Sequence, residues 1–347
     1  MFLPNWIGDV AMATPTLRAI RQHYGPAARI TGIQRPYVAE VLAGTNWLSD
    51  RIEFNPKAKS SSERRGTWNL VRELRRREFD TAIILPNSPR PALAAWLAQI
   101  PQRIGYSRYC RGPLLTEKLR PPRNGSQLLP VSALDYYLSI AAAIGANTSN
   151  GNIELRSTQE SDSEVRGIWN TLDLSGRRVI AFNTGGAYGA AKSWPAEHFS
   201  DLAKRFVAEG NTSVIIACGP AERESADLIQ KLSGTRHIHS LSRWPSSIGL
   251  TKAVIKHSDM LVTTDSGPRF FGTAFSVPTI TLFGSTDPQW SQTGHPLEVN
   301  MNIDVDCGPC SKRVCPLKHH RCMQDLTPEH VFARAQRILS LPRPDAA

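Results

Sequence analysis

Long apolar runs are missing from this chain, and with them the simplest membrane reading: none approaches the ~20 residues that a spanning helix requires. A targeting segment is missing too. Met1-Phe2-Leu3 leads straight into Pro4-Asn5-Trp6-Ile7-Gly8-Asp9 without a basic and then apolar stretch, so the protein is read as cytoplasmic. Cysteine is scarce, six in 347 residues with four crowded between Cys307 and Cys322, which excludes a disulfide scaffold. Acidic residues fall short of basic ones, 30 against 41, for a net charge of +11. That balance favours an anionic partner such as nucleic acid, a phosphorylated glycolipid or an acidic membrane face, and does not choose among them. The densest basic run, Arg75-Arg76-Arg77, follows Leu74 on an amphipathic helix and reads as a solvated face. There is no short-period repeat, and no low-complexity tract beyond the Ser-rich turn from Lys59 to Ser62.

What is present is an ordinary globular composition, 41% hydrophobic and 20% charged, in a chain about twice a common domain size. Short apolar or β-branched runs alternate with helical stretches. A helix is expected from Asp9 to Tyr24, a strand from Arg29 to Ile33, and a long helix from Ser62 to Phe79 with Trp68, Leu70, Val71 and Leu74 on one face. The strand Thr81 to Leu85 has no polar alternation, as in parallel sheets buried on both faces. After a helical Leu134 to Ile144, the polar segment Ala146 to Ser163 marks the domain boundary, with Ile153-Glu154-Leu155 as a short strand within it. The βα pattern then restarts. Strands at 179–182, 213–218, 237–240, 260–264 and 279–283 alternate with helices at 195–208, 221–232, 248–257 and 268–275, as a right-handed parallel sheet requires. A last helix from Pro328 to Leu339 carries Thr327 as its N-cap. The fold class is α/β: two Rossmann-like doubly wound domains, residues 1–155 and 165–347, facing across a cleft. One irregularity stands at the beginning, where only Met1-Phe2-Leu3 precedes Pro4; either most of the first strand is missing or the start was assigned late.

Candidate chemistry falls where strands run into helices, at the carboxyl edge where such sheets bind ligands. Asp9, after the first strand, is either a general base or a helix cap. Asn183-Thr184-Gly185-Gly186, followed by Lys192-Ser193-Trp194-Pro195, brings glycine backbone and a cation to a phosphate or is a plain loop; it is neither G-x-G-x-x-G nor G-K-[ST]. Thr264-Asp265-Ser266-Gly267 offers hydroxyls and N–H groups to an anion, with Asp265 for a sugar hydroxyl, or is a helix capped by Ser266. Gly284-Ser285-Thr286 repeats the arrangement one strand later. Cys307, Cys310, Cys315 and Cys322, with His319 and His320 between them, form a zinc site, a cluster of reduced thiols or a redox pair. Cys110 and Cys218 read as partly buried thiols.

Taken together, Pro4 to Asp9, Leu85-Pro86-Asn87-Ser88, Arg103-Ile104-Gly105-Tyr106, Lys192 to Pro195, Thr264 to Gly267, Phe283 to Thr286 and Cys315 to Cys322 resemble the lipopolysaccharide heptosyltransferases (glycosyltransferase family 9), most of all their heptosyltransferase II branch. The resemblance covers nearly the whole chain. It implies a GT-B fold and inverting, metal-independent transfer of heptose from the donor ADP-heptose to the lipopolysaccharide inner core, at the cytoplasmic side of the inner membrane, with no cofactor and no nucleic acid. By the same resemblance Asp9 is the general base. Lys192, Thr184, Gly185 and the Thr264, Asp265, Ser266, Gly267 turn hold the donor diphosphate, and Glu224, with Glu222 competing, meets the adenosine ribose. The N-terminal domain takes the acceptor through Asn87, Arg103 and Arg108, with Arg18 a further candidate. Many relatives carry a His where this chain has Phe270, which leaves Arg269 to supply the missing charge. Two other readings stand beside this one: a related transferase with another nucleotide sugar or acceptor, and a zinc-bearing nucleic-acid-binding protein.

Overall fold

A computed structural model describes residues 1–56, 66–185 and 188–341. The Lys59 to Ser62 turn, the start of the helix expected from Ser62, Gly186 and Ala187 lie outside the described residues. The chain divides into two compact units, Met1–Ile153 and Glu154–Ala347.

In the first unit the opening helix is two helices, α1 (Ile7–Met12) and α2 (Thr14–Tyr24), meeting at Ala13. Pro15 has no N–H to give to the turn before it, so one continuous helix from Asp9 cannot form there. There follow β1 (Thr31–Gln34), β2 (Asp50–Glu53), α3 (Thr67–Arg76), β3 (Thr81–Ile84), α4 (Pro89–Leu97), β4 (Gln102–Tyr106), β5 (Glu117–Leu119), the hairpin β6 (Arg123–Asn124) and β7 (Gln127–Leu128), and α5 (Ala133–Ala143). β1 pairs with β2, and β3 with β4 and then β5, all parallel. Phe2 joins the two groups by parallel bridges to Ile33 and Ile84, with Leu3 N–H donating to the Ile33 carbonyl at 2.9 Å and Phe2 N–H to that of Ile83 at 2.8 Å. Three residues thus do the work of a first strand, and the lateral order becomes 3-2-1-4-5-6, that of a doubly wound sheet. Leu70, Val71 and Leu74 of α3 are buried against it with Phe2, Ile33, Ile84 and Ala92. Trp68 is not: it stands 69% exposed, because at 100° per residue it falls roughly 110° from the centre of that apolar stripe.

The second unit opens with α6 (Gln159–Thr171), capped by the Thr158 hydroxyl, which accepts from Ser161 N–H at 3.2 Å. Ile153-Glu154-Leu155 forms no strand; Ile153 and Leu155 are buried in extended chain. The series continues as β8 (Arg178–Asn183), α7 (Ala196–Ala208), β9 (Thr212–Ala217), α8 (Arg223–Ser233), β10 (Ile238–Ser240), α9 (Ile248–Lys256), β11 (Met260–Thr264), α10 (Arg269–Ala274), β12 (Thr279–Leu282), β13 (Glu298–Met301), α11 (Arg321–Gln324) and α12 (Pro328–Leu339). Its sheet runs β10-β9-β8-β11-β12-β13, all parallel, again 3-2-1-4-5-6. Phe182 of β8 meets Phe199 and Phe206 of α7 with ring centroids 5.6 and 6.3 Å apart, each ring contributing about 2 kcal/mol by burial. Val331, Ala335 and Ile338 of α12 enter the same core, which assigns the last helix to this unit.

Candidate active site

The carboxyl edge of the first sheet is built around Asp9. It lies in the first turn of α1, but the cap position is Trp6 and no side chain caps the helix. The capping reading of Asp9 is therefore set aside. Its Oδ1 accepts from the Tyr137 hydroxyl of α5 at 3.2 Å. Burial lifts its carboxyl from 3.8 to about 6, against the downward pull of that hydrogen bond. A carboxylate so raised accepts a proton near neutral pH, as a general base must.

The arginines of the same unit divide by what they already hold. Arg18 donates to the carbonyls of Asn150 at 2.7 Å and Asn152 at 3.1 Å. Arg103 donates to the carbonyls of Leu114 at 2.8 Å, Pro101 at 3.2 Å and Ile100, which makes it a brace between β4 and the turn before β5. Arg108 lies 5.1 Å over the Tyr109 ring, and its charge reaches Tyr136, whose phenol burial raises and Arg108 pulls back down. Tyr136 in turn donates to Asn87 Oδ1 at 3.0 Å. Arg111, which no motif marked, is buried and bonded to the carbonyls of Tyr106, Pro86 and Ser88. Burial without a carboxylate partner brings it down from 12.5 to about 10. Asn87, Arg108, Arg111 and Tyr136 therefore form one positive cluster at the ends of β3 and β4, and Arg103 stands apart from it. Cys110 is exposed rather than partly buried; it and Tyr109 both adopt positive φ, 59° and 51°, a turn that carries the thiol outward.

At the carboxyl edge of the second sheet, β8 and β11 are neighbours where the strand order reverses. Asn183, ending β8, ties that junction together: its Nδ2 donates to the Ala217 carbonyl at 3.2 Å and its Oδ1 accepts from Ser266 at 3.1 Å. Ser266 is thus a cross-strand link and not a helix cap, the N-cap of α10 being Pro268. Asp265 accepts from Lys192 Nζ, from Thr286 Oγ1 at 2.7 Å and from Arg269 at 3.3 Å. Burial alone would raise its carboxyl, but Lys192 and Arg269 hold it below the ordinary value. Its Oδ2 takes both Lys192 and Thr286 while its Oδ1 takes only Arg269, which leaves Oδ1 a further acceptor position. Arg269 is wholly buried and bound also to Glu298 and to Asn300 at 3.2 Å, so its charge is neutralised inside and does not replace the His absent at Phe270. Phe270 itself is buried.

What the junction still offers to an anion is specific. Lys192 Nζ uses two of its three donors, on the carbonyl and carboxylate of Asp265, and keeps one. Among the described residues the N–H groups of Ser266 and Gly267 donate to nothing, and the buried hydroxyls of Thr184 and Ser285 have no partner. Beside them Gly185 leaves room for Glu222, whose Cγ would lie 2.2 Å from a Cβ at that position. Glu222 is thereby placed against the Gly185 and Gly219 turns, whereas Glu224 is exposed in the first turn of α8. The partners that sequence reasoning missed, Tyr137, Arg111 and the Thr286 bond, all lie far along the chain from the groups they serve.

The six cysteines are all free, and no helix of the described residues is long and apolar enough to cross a membrane. Residues 67–321 match the family described as Glycosyltransferase family 9 (heptosyltransferase). Lipooligosaccharide heptosyltransferase 2 of Campylobacter jejuni is 24% identical over 341 residues, 97% of each chain. Among solved structures, the glycosyl transferase family 9 protein of Veillonella parvula superposes with a TM-score of 0.80 at 21% identity, covering 97% of this chain and 95% of that one. Escherichia coli ADP-heptose LPS heptosyltransferase II does so with a TM-score of 0.76, also at 21% identity, covering 97% of each chain. The fold class is GT-B.

Proposed function

The chain belongs to glycosyltransferase family 9, the heptosyltransferases, and from that premise we propose that it transfers heptose from ADP-heptose to the lipopolysaccharide inner core, with inversion and without a metal ion. The observation that carries this reading is the β8–β11 junction, where a buried lysine stands beside N–H groups and hydroxyls that have no partner among the described residues, a set suited to a diphosphate. The second unit is the nucleotide-sugar domain, with Lys192, Thr184, Gly185, Thr264, Ser266 and Gly267 around the diphosphate. Lys192 and the fixed amide dipoles stabilise the leaving group as the anomeric C–O bond breaks. Asp265 holds Lys192 in place from behind. Glu222 meets the ribose more directly than Glu224.

The first unit is the acceptor domain. Asp9 takes the proton of the acceptor hydroxyl as that oxygen attacks the anomeric carbon from the face opposite the diphosphate. Asn87 and Arg108 bind anionic groups of the acceptor, and Arg103 supports them through the β4 turn. The enzyme works in the cytoplasm, at the inner-membrane face where its lipid acceptor lies. Heptose transfer is followed by mass spectrometry, using ADP-heptose and a Kdo-lipid A acceptor already carrying one heptose, without added metal. Product with inverted anomeric configuration is expected. A chain that binds neither ADP nor ADP-heptose sinks the donor assignment, and one that binds ADP but transfers to no core acceptor sinks the acceptor assignment.

A further inference from the structure

Cys307, Cys310, Cys315 and Cys322 all line one cavity, together with His319, His320, Gly284 and Ser285. None is in a disulfide. The Cys307 sulfur is 3.8 Å from His319 Nε2. The segment that carries them has Lys312, Arg313, Lys318 and Arg321 and no acidic residue from 307 to 322. Ser311, Lys318 and His320 within it take positive φ without being glycine. It is a strained, positively charged loop folded around four thiols, with only the short α11 to order it.

We propose that these four cysteines bind one thiophilic divalent metal ion, zinc or iron, as a tetrahedral tetrathiolate, and that this ion fixes the loop on which the Lys192 loop rests. Binding four thiolates releases four protons and leaves a centre of charge −2, which the surrounding Lys and Arg side chains balance. The side chains are gathered but not yet closed: no three His, Cys, Asp or Glu side chains among the described residues already form a group that would hold a metal ion. Closing the site would require side chains and loop to order as the ion binds.

The consequence for the enzyme follows from what the loop touches. Ser311 N–H donates to the Ser285 carbonyl at 2.6 Å, Ala191 N–H to the Arg313 carbonyl at 3.0 Å, and Tyr188 hydroxyl to the Ser311 carbonyl at 2.7 Å. His320 Nε2 is 3.0 Å from the Ala191 carbonyl. Gly189, at φ 147°, would place a Cβ 2.4 Å from the Arg313 carbonyl oxygen. The loop presenting Lys192 is therefore moulded on the cysteine loop. The ion takes no part in the transfer chemistry and acts by position.

The natural chain, isolated under reducing and anaerobic conditions, is analysed for metals. About one zinc or iron per chain is expected, and cobalt substitution should give intense thiolate-to-metal absorption. The double variant Cys310→Ser/Cys315→Ser should lose the ion and exchange its 188–192 amides at least tenfold faster. Because metal content and cobalt absorption are read on the natural chain, a variant that fails to fold leaves the test intact. A chain that is metal-free as isolated and after incubation with zinc or iron(II), or that shows these cysteines paired as disulfides when unreduced, overturns the proposal. The readout does not depend on which sugar or acceptor the enzyme uses.

Discussion

Both units lay six parallel segments in the order 3-2-1-4-5-6, and each sets an aspartate at its carboxyl edge, yet the two carboxyls are driven in opposite directions. Asp9 is raised to about 6 because burial meets only one hydroxyl, that of Tyr137. Asp265 is equally sheltered but is held low by Lys192 and Arg269. Position in the fold is therefore not what sets an acid's role; the nearest fixed charge is. The unpaired aspartate is strained toward its proton and fit to be a base, whereas the paired one is permanently ionised and fit to anchor a lysine.

The largest effect that would break this comparison is on the rate. Asp9→Asn should lower kcat by about 10² to 10⁴-fold, the usual contribution of a positioned base, with the circular dichroism spectrum unchanged. A loss below tenfold would mean that the proton leaves by another route. The same substitution should make the protein more stable at pH 7. A carboxyl at 3.8 in the unfolded chain and about 6 in the folded one binds its proton more tightly when folded, so its contribution falls as pH rises from 4 through 6 and costs about 3 kcal/mol at pH 7. Removing the charge removes that cost, and Tm at pH 7 should rise.

Asp265→Asn should do the reverse. It leaves Lys192 with only the Asp265 carbonyl and Arg269 with only Glu298 as carboxylate partner, and breaking a buried pair on one side costs about 3 kcal/mol. Its ionised form is the stabilising one, so its contribution is present at neutral pH and lost as pH falls through its depressed value. Thermal melts of the two variants at pH 7 check both signs at once. If both substitutions shift Tm the same way, the electrostatic contrast between the units is wrong.

How much of this was legible in the sequence depends on the distance between partners. The parallel strands, the restart of the βα pattern and the loops bearing Asp9, Asn183, Lys192 and Asp265 could be read locally, because buried strands and glycine-bearing turns are written in consecutive residues. The break at Ala13 is legible as well, since Pro15 removes the N–H that would continue the preceding turn. Trp68 shares the three- and four-residue spacing of the apolar stripe but not its angle, and so faces solvent. The choice between base and cap for Asp9 could not be made from residues 4–9, since Tyr137 stands 128 positions away. Arg103 and Arg108 looked equivalent for the same reason; only the fold shows that one already holds three carbonyls and the other lies beside Asn87 and Tyr136.

The smallest predicted effect is also the most discriminating. Tyr137 donates to the Asp9 carboxylate and so favours its ionised form; Tyr137→Phe removes that donor and leaves the desolvation, so the Asp9 value must rise further. If transfer requires the carboxylate, kcat/KM climbs with pH through about 6 in the natural enzyme, and in the variant the same limb moves upward by about one pH unit. The rates then differ by roughly fivefold at pH 6 and converge above pH 8. Asp265 stays ionised throughout this window, so nothing in the second unit produces such a shift. A Tyr137→Phe profile that is lower at every pH by a constant factor would assign the tyrosine to packing alone, and would move the limb near pH 6 to some group other than Asp9.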